Sequence, residues 1–364
     1  MDVIQVFEHL HAMPELGMQE FKTATYLADE LEKMGYQVQR NVGGATGVVG
    51  TYATGKPGPV VGIRADMDAL AHLIDGKTVA IHSCGHDSHC AMALVAADRL
   101  IKDVQCGTLK VFFQPAEETL VGARSLLDAG ALEGVDILFG QHIRPIQELP
   151  VGKISPAMFY SASVVLDVTI KGQTAHGARP HLGNNTIDAA ALAVLAVNSI
   201  RTNPVVASSI KVTGINAGGA ASNAIPDKTT MVLDVRSQTN EGMRYNLEKI
   251  EQAINNAATA NGCTAEVVKR GGVPAAELDE ALIQEMSEVI KEIVGEEGLA
   301  PRIYTPGGED FFYYVEQYPN IKAAFFGVGS SAAPGLHDPN MSFDKKALGI
   351  GVELLYKAVM RKLG

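Results

Sequence analysis

Between Val60 and Ile143 the chain alternates apolar, strand-like runs with helical patterns, and the runs close on polar clusters. VVGIR runs into ADMD, TLKVFFQ into PAEE, and DILFG into QHI, with helical patterns at CAMALVAADRLIKD and GARSLLDAGAL between them. Strands separated by helices imply a largely parallel sheet covered on both faces. In such sheets ligands gather at the carboxyl ends of the strands, which is where these polar clusters fall. An amphipathic helix over Val3–Leu10 precedes the alternation.

From about Ser161 the pattern changes to strand (Val164–Gly172), helix (Ile187–Ile200), strand (Ser208–Asn216), strand (Thr229–Ser237), helix (Met243–Ala260), strand (Thr264–Arg270). This βαββαβ order reads as a self-contained ferredoxin-like unit. After Gly272 a helix at Leu278–Val294, strands near Arg302–Pro306 and Lys322–Gly329, and a closing helix at Lys345–Leu363 resume the α/β alternation. A chain of 364 residues also exceeds what one hydrophobic core usually supports. The expected fold class is therefore α/β, with the first part of one domain over residues 1–160, an inserted α+β domain over 161–272, and the second part over 273–364.

A formal charge of −11 without any Lys/Arg run argues against nucleic acid, whose phosphates require clustered positive charge. A small molecule or peptide is the expected partner. No run of about eighteen apolar residues is present, so no membrane span is expected. Four cysteines at irregular positions do not make a disulfide framework and fit a reducing compartment. The opening MDVIQVFEHLHAMPEL has acidic residues where a signal peptide would be basic, and a cytoplasmic location is expected.

The sharpest local feature is HSCGHDSH, His82–His89. Thiolate and imidazole suit zinc and other divalent transition metals, and Cys84 and His86, two apart, can face one ion from a loop or extended segment. Glu117 and Glu118 end an apolar run, where adjacent carboxylates repel unless a positive group neutralises them. Neighbouring residues point in different directions, so one carboxylate can bind an ion while the other takes a proton from water. His142 after a strand and His337 in GLHDP are weak signals singly.

Together, RADMDAL, HSCGHD, FQPAEE, GQH, GGEDFF and GLHDP, in that order, resemble the M20 metallopeptidase family in its amidohydrolase branch over nearly the whole chain. The resemblance implies a zinc-peptidase-like α/β domain interrupted by a ferredoxin-like dimerisation or lid domain, and hence a homodimer or higher homo-oligomer. It implies metal ligands at Cys84, His86, Glu118, His142 and His337 and a general base at Glu117. It further implies that His176 steadies the scissile carbonyl oxygen from its own subunit or a partner's, that Asn223 and Arg236 contact substrate, and that Gly308 within GGED helps shape the substrate pocket. One of Asp66 and Asp68 is expected to orient a ligating imidazole, and Asp87 or His89 is a further candidate for that role, although His89 reads first as a packing residue on the next helix. His11, Pro14 and Glu15 are read as structural. The chain departs from the branch at Ala71, where proline is usual, and in the short connection AHLIDGKTVA; these changes, with Ser83 and AHGARPHLGNN, are most similar to AmhX-type amidohydrolases.

The implied activity is hydrolysis of the amide bond of N-acyl amino acids or short acyl-peptides by a metal-activated water, with two divalent ions, zinc first and manganese or cobalt as alternatives. A dipeptidase or carboxypeptidase of the same fold and a non-catalytic metal-binding paralogue are the alternatives. A thiol hydrolase with Cys84 as nucleophile would leave Glu118, His142 and His337 without a role.

Overall fold

The protein is described by a computed structural model covering residues 1–44 and 46–364, and it divides into two compact units. The first comprises Met1–Met158, Glu277–Ile303 and Glu309–Gly364; the second comprises Phe159–Ala276 and Tyr304–Gly308. The second thus includes a return segment, residues 304–308, that the sequence reading left in the α/β part. The backbone N–H of Ser161 donates to the carbonyls of Thr305 and Gly307, which fastens the segment there.

In the first unit, helices α1 (Val3–His11) and α2 (Phe21–Met34) lead into strands β1 (Gln37–Val42), β2 (Gly47–Ala53) and β3 (Val60–Asp66). A hairpin of β4 (Leu70–Ile74) and β5 (Lys77–Ile81) follows, then α3 (His86–Asp103), β6 (Thr108–Gln114), α4 (Gly122–Asp128) and β7 (Ile137–Pro145). Asp2 caps α1 by accepting from the N–H of Ile4 and Gln5. Glu15 accepts from the N–H of Lys22 and Thr23 and so satisfies donors in the first turn of α2. Gly35, at φ 100°, ends α2 in a left-handed conformation that side chains avoid.

The main sheet runs in the order β1, β2, β6, β3, β7, Lys322–Ala332, Ile154–Ser155. Its centre is parallel: β6 with β3, β3 with β7, and β7 with Lys322–Ala332. β1, β2 and Ile154–Ser155 pair antiparallel at the flanks, so the sheet is mixed. α1, α2, α3 and the helices Glu280–Val294 and Lys346–Leu363 supply apolar side chains to a core that includes Leu10, Leu27, Leu94, Met286 and Leu355. Among the described residues no helix is long and apolar enough to cross a membrane.

Two local features differ from the sequence expectation. His86 lies in no extended segment: it is the first residue of α3, entered through Gly85 at φ 93°, so the helix starts four residues before the apolar pattern suggests. AHLIDGKTVA is a paired hairpin turning on Asp75 and Gly76, both with positive φ, the geometry of a two-residue type I′ turn.

The second unit has a four-stranded antiparallel sheet in the order Ser208–Ala217, Lys228–Ser237, Ala162–Lys171, Thr264–Val273. Val164, Leu166, Val168 and Ile170 alternate into a core shared with Ala189 and Ala193 of helix Thr186–Asn198 and Ile250 and Ile254 of helix Asn240–Ala260. This is the ferredoxin-like arrangement.

The turn after β6 is folded tightly on itself: the N–H of Gly122 donates to the carbonyl of Ala116, and a Cβ at Gly122 would lie 1.6 Å from the Pro115 carbonyl oxygen. Gly122→Ala is therefore expected to lower unfolding free energy by about 2 kcal/mol or more, as read from urea denaturation followed by circular dichroism.

Candidate metal centre

At the carboxyl ends of β3 and β6 the chain buries an unusual amount of charge. Arg64, which follows the apolar run Val60–Ile63 of β3, is 2% exposed, and every arm of its guanidinium is engaged. Nε donates to Gln114 Oε1 at 2.8 Å, Nη1 to Asp66 Oδ2 at 2.6 Å, and Nη2 to Glu309 Oε1 at 2.9 Å and Asp310 Oδ1 at 2.8 Å. Asp310 also accepts from Gln114 Nε2 and from the N–H of Ala123, and Tyr314 donates to Gln114 Oε1 at 2.7 Å. Glu309 and Asp310 thus brace the floor of the site from inside the first unit; the sequence reading assigned their GGED motif to the wall of a substrate pocket. Arg64, Gln114 and Tyr314 were not singled out from sequence. The available signal was a charged residue inside VVGIRAD, because a buried arginine must be paired.

Asp68, just beyond β3, uses both oxygens. Oδ1 meets His86 Nδ1 at 3.0 Å, and Oδ2 accepts from the backbone N–H of Glu118 at 3.0 Å. It therefore fixes the ring of His86 and the peptide that carries Glu118. With Nδ1 held, His86 presents Nε2 to Glu117 Oε2 and Glu118 Oε1, each 3.9 Å away. That nitrogen and Glu118 Oε1 are buried without a hydrogen-bond partner among the described residues.

His142, on β7, is oriented by its Nδ1, which lies 2.6 Å from the carbonyl oxygen of Ile143; its Nε2 faces Cys84 Sγ at 3.4 Å. His337 Nε2 lies 3.4 Å from Glu118 Oε1, and its backbone N–H donates to the Ser83 carbonyl, tying the GLHDP loop to the residue before Cys84. Cys84, His86 and His142 form one group of ligand atoms within 4.8 Å of each other; Cys84, Glu118 and His337 form another, and His86, Glu117 and Glu118 a third. The residues expected to ligate metal are thus brought together, with Glu117 beside them.

His89, one turn into α3, has both nitrogens occupied: Nδ1 meets Asp66 Oδ1 at 2.6 Å and Nε2 accepts from the N–H of Ile143 at 3.0 Å. It is a strut between β3 and β7. Asp87 is bound by His11 Nδ1 at 2.6 Å, so it joins α1 to α3. Ser83 Oγ meets His72 Nε2 at 2.8 Å, fastening the base of the β4–β5 hairpin.

Charge imbalance and open ligand atoms test whether metal ions fit. Burial, reinforced by Glu309 and Asp310, pushes the Glu117 carboxyl well above the usual carboxylate range, with His86 opposing. Burial works against charge on His86, yet Asp66 and Cys84 outweigh it and hold the imidazole well above its ordinary value. Burial pushes the Cys84 thiol up and the His142 imidazole far down. A His142 imidazole and a Cys84 thiol that burial keeps from charging, beside the acidic side chains of Glu117 and Glu118 and the open Nε2 of His86, together make a donor set that divalent cations fit.

The other expected site residues lie in the second unit. His176, exposed, sits on the short strand Ala175–His176 paired with Ala224–Ile225, and the N–H of Gly177 donates to the Asn223 carbonyl, which brings His176 and Asn223 close in the backbone. His176 Nδ1 accepts from the N–H of Ala178, leaving Nε2 as the protonated nitrogen of the neutral ring. Arg236 is not a free fork, since its Nε contacts Asp234 at 3.1 Å and Nη1 the Pro306 carbonyl. At Gly308 a Cβ would lie 2.6 Å from Val273 Cγ2, so a side chain there would need its neighbour to shift.

The model of peptidase family M20/M25/M40 matches residues 62–361. The hippurate hydrolase of Campylobacter jejuni is 30% identical over 372 residues, covering 99% of this chain and 96% of that protein. The N-acetyl-L-cysteine deacetylase of Bacillus subtilis is 32% identical over 383 residues, covering 99% and 88%. A solved dinuclear metal binding peptidase from family M20, also of Bacillus subtilis, is similar with a TM-score of 0.83 at 28% identity, covering 99% of this chain and 97% of that one.

Replacing Arg64 strands buried carboxylates. Arg64→Met is expected to lower stability by roughly 3–5 kcal/mol at neutral pH, measured by guanidinium denaturation, and Arg64→Lys is expected to recover only part of this because an ammonium lacks the planar fork.

Proposed function

The chain belongs to peptidase family M20/M25/M40, and from that premise we propose that it is a metal-dependent amidohydrolase that releases amino acids from N-acyl amino acids or short acyl-peptides. The single observation that carries the reading is the convergence of Cys84, His86, Glu118, His142 and His337 on one another with Glu117 alongside. The named substrates of the relatives, hippurate and N-acetyl-L-cysteine, are both N-acylated amino acids and support the substrate class.

In this reading those five residues hold two divalent ions, zinc by preference for the Cys84 thiolate and with manganese or cobalt able to substitute. When bound, such ions polarise an amide carbonyl and make water more acidic. Glu117 accepts the proton of the attacking water on its carboxylate. Its buried position, which raises its proton affinity, suits it to hold that proton until the C–N bond breaks. Water oxygen bonds to the acyl carbon, the amide nitrogen departs, and Glu117 returns the proton to it, which leaves a carboxylic acid and a free amino group. Asp68 keeps His86 and Glu118 in place through these steps. His176, with Nε2–H as donor, is proposed to steady the developing oxyanion, and Asn223, Arg236 and Gly308 to contact or shape the space for substrate. A homodimer and a cytoplasmic location belong to the same reading, the latter supported by four unpaired cysteines.

A thiol mechanism is disfavoured by the environment of Cys84, where burial raises the thiol pKa and makes a free thiolate unfavourable. Glu117→Gln is expected to leave metal content unchanged while lowering kcat by roughly a thousandfold, read by elemental analysis beside an assay with N-acetyl, N-benzoyl and longer N-acyl amino acids. Turnover that persists in this variant, or in enzyme stripped by chelator, would overturn the assignment. Inertness of fully metallated wild-type protein toward the whole panel would instead remove the substrate class.

A further inference from the structure

Glu20 immediately precedes helix α2, where an acidic side chain can accept from the unpaired N–H groups of the first turn. Its carboxylate makes no such bond, and Glu15 serves the N–H groups of Lys22 and Thr23 instead. Glu20 is 0% exposed and reaches across to the turn after β6: Oε1 accepts from the backbone N–H of Ala116 at 2.8 Å, and Oε2 accepts from the Thr46 hydroxyl. A buried carboxylate is costly unless its oxygens are bonded. The helix does not use this one, and the peptide it holds lies directly before Glu117.

Ala116 has φ 52°, a conformation that a residue with a Cβ rarely adopts and that persists only where its surroundings impose it. Within the turn, the Ala116 carbonyl accepts from the N–H of Gly122, and the Glu117 carbonyl from the N–H of Leu120 at 2.8 Å. From outside it, Glu20 takes the N–H of Ala116 and Asp68 the N–H of Glu118 at 3.0 Å, so two carboxylates bracket Glu117 along the backbone. Asp68 also holds His86, whereas Glu20 hydrogen-bonds no candidate metal ligand among the described residues. A Cβ at Gly17 would lie 3.1 Å from the Cα and Cβ of Ala116, so the segment leading to Glu20 packs against the same residue.

We propose that Glu20 is a positioning residue for the general base: through the Ala116 peptide it fixes the direction in which the Glu117 side chain leaves the turn, and so the place where the proton of water is taken. The inference rests on the reading of Glu117 as that base. Without the acceptor the Ala116 peptide relaxes, and a displacement of the Glu117 carboxylate on the order of 1 Å costs roughly a hundredfold in rate.

Three substitutions separate the hydrogen bond from charge and bulk. Glu20→Met keeps the length without an acceptor, Glu20→Asp keeps the charge but stops one methylene short of Ala116, and Glu20→Gln keeps an acceptor oxygen while its amide donates to Thr46 Oγ1. Burial already pushes the Glu20 carboxyl above its ordinary range, so a neutral amide suits the site. In metal-loaded protein, Glu20→Met and Glu20→Asp are expected to lower kcat about a hundredfold with KM and metal content unchanged. Deuterium-exchange mass spectrometry is expected to show the segment containing Ala116 exchanging about tenfold faster in both. Glu20→Gln is expected to stay within about threefold of wild type in both readouts. A glutamate that only stabilised the fold would lower the melting temperature without separating kcat from KM, and Glu20→Asp supplies the result if Glu20→Met fails to fold. Unchanged exchange at Ala116 overturns the proposal without recourse to any substrate, and so does a Glu20→Gln enzyme as slow as Glu20→Asp. Unchanged kcat in Glu20→Asp beside an inactive Glu117→Gln overturns it and leaves the general base standing; turnover in Glu117→Gln removes the general base and this inference together.

Discussion

The guanidinium of Arg64 joins stretches of chain that are remote in sequence. Its partners Glu309 and Asp310 lie 245 and 246 residues further on, beyond the whole of the second unit, while Asp66 and Gln114 end neighbouring strands. The first unit is built from discontinuous segments, and this cluster is where the later segment is locked onto the sheet made by the earlier one. A buried charge of this kind contributes little net stability when satisfied, yet leaving its partners unpaired is severe. Its value is geometric, because carboxylates that would otherwise repel are held at fixed distances beneath the ligand set.

Above that floor, orientation passes through side chains with both ends occupied. Asp68 grips His86 and the peptide of Glu118; Asp66 grips Arg64 and His89; His89 reaches on to β7 beside His142. Each link joins two elements of the sheet or of the helix that follows it. The candidate ligand atoms are therefore held in place by the protein's own hydrogen bonds rather than left on free side chains.

Much of this was legible in the sequence. Alternating strands and helices indicated the α/β class, and Cys84 and His86, which HSCGHD offers on chemistry alone, lie together with His142 among the candidate donors. Other features resisted reading for identifiable reasons. The start of α3 was placed late because its first turn is polar: His86, Asp87, Ser88 and His89 are buried for their hydrogen bonds, and hydrophobic periodicity does not register them. The antiparallel flanks of the sheet follow from pairing partners, which a run of apolar residues does not encode. The hairpin was passed over despite its Asp75–Gly76 turn signal, and the roles of Glu309 and Asp310 depended on a contact with Arg64 that only the fold creates.

The β4–β5 hairpin springs from Asp68 at one end and runs into the Cys84 loop at the other, so both of its feet stand on residues that build the donor set. Its strands pair with each other and with no third strand among the described residues, which makes its length a free variable: residues added or removed in opposed pairs preserve the register at the base while changing how far the tip extends. The hairpin can therefore be lengthened or shortened as an exchangeable module, with its base at Asp68 and the Cys84 loop left unchanged.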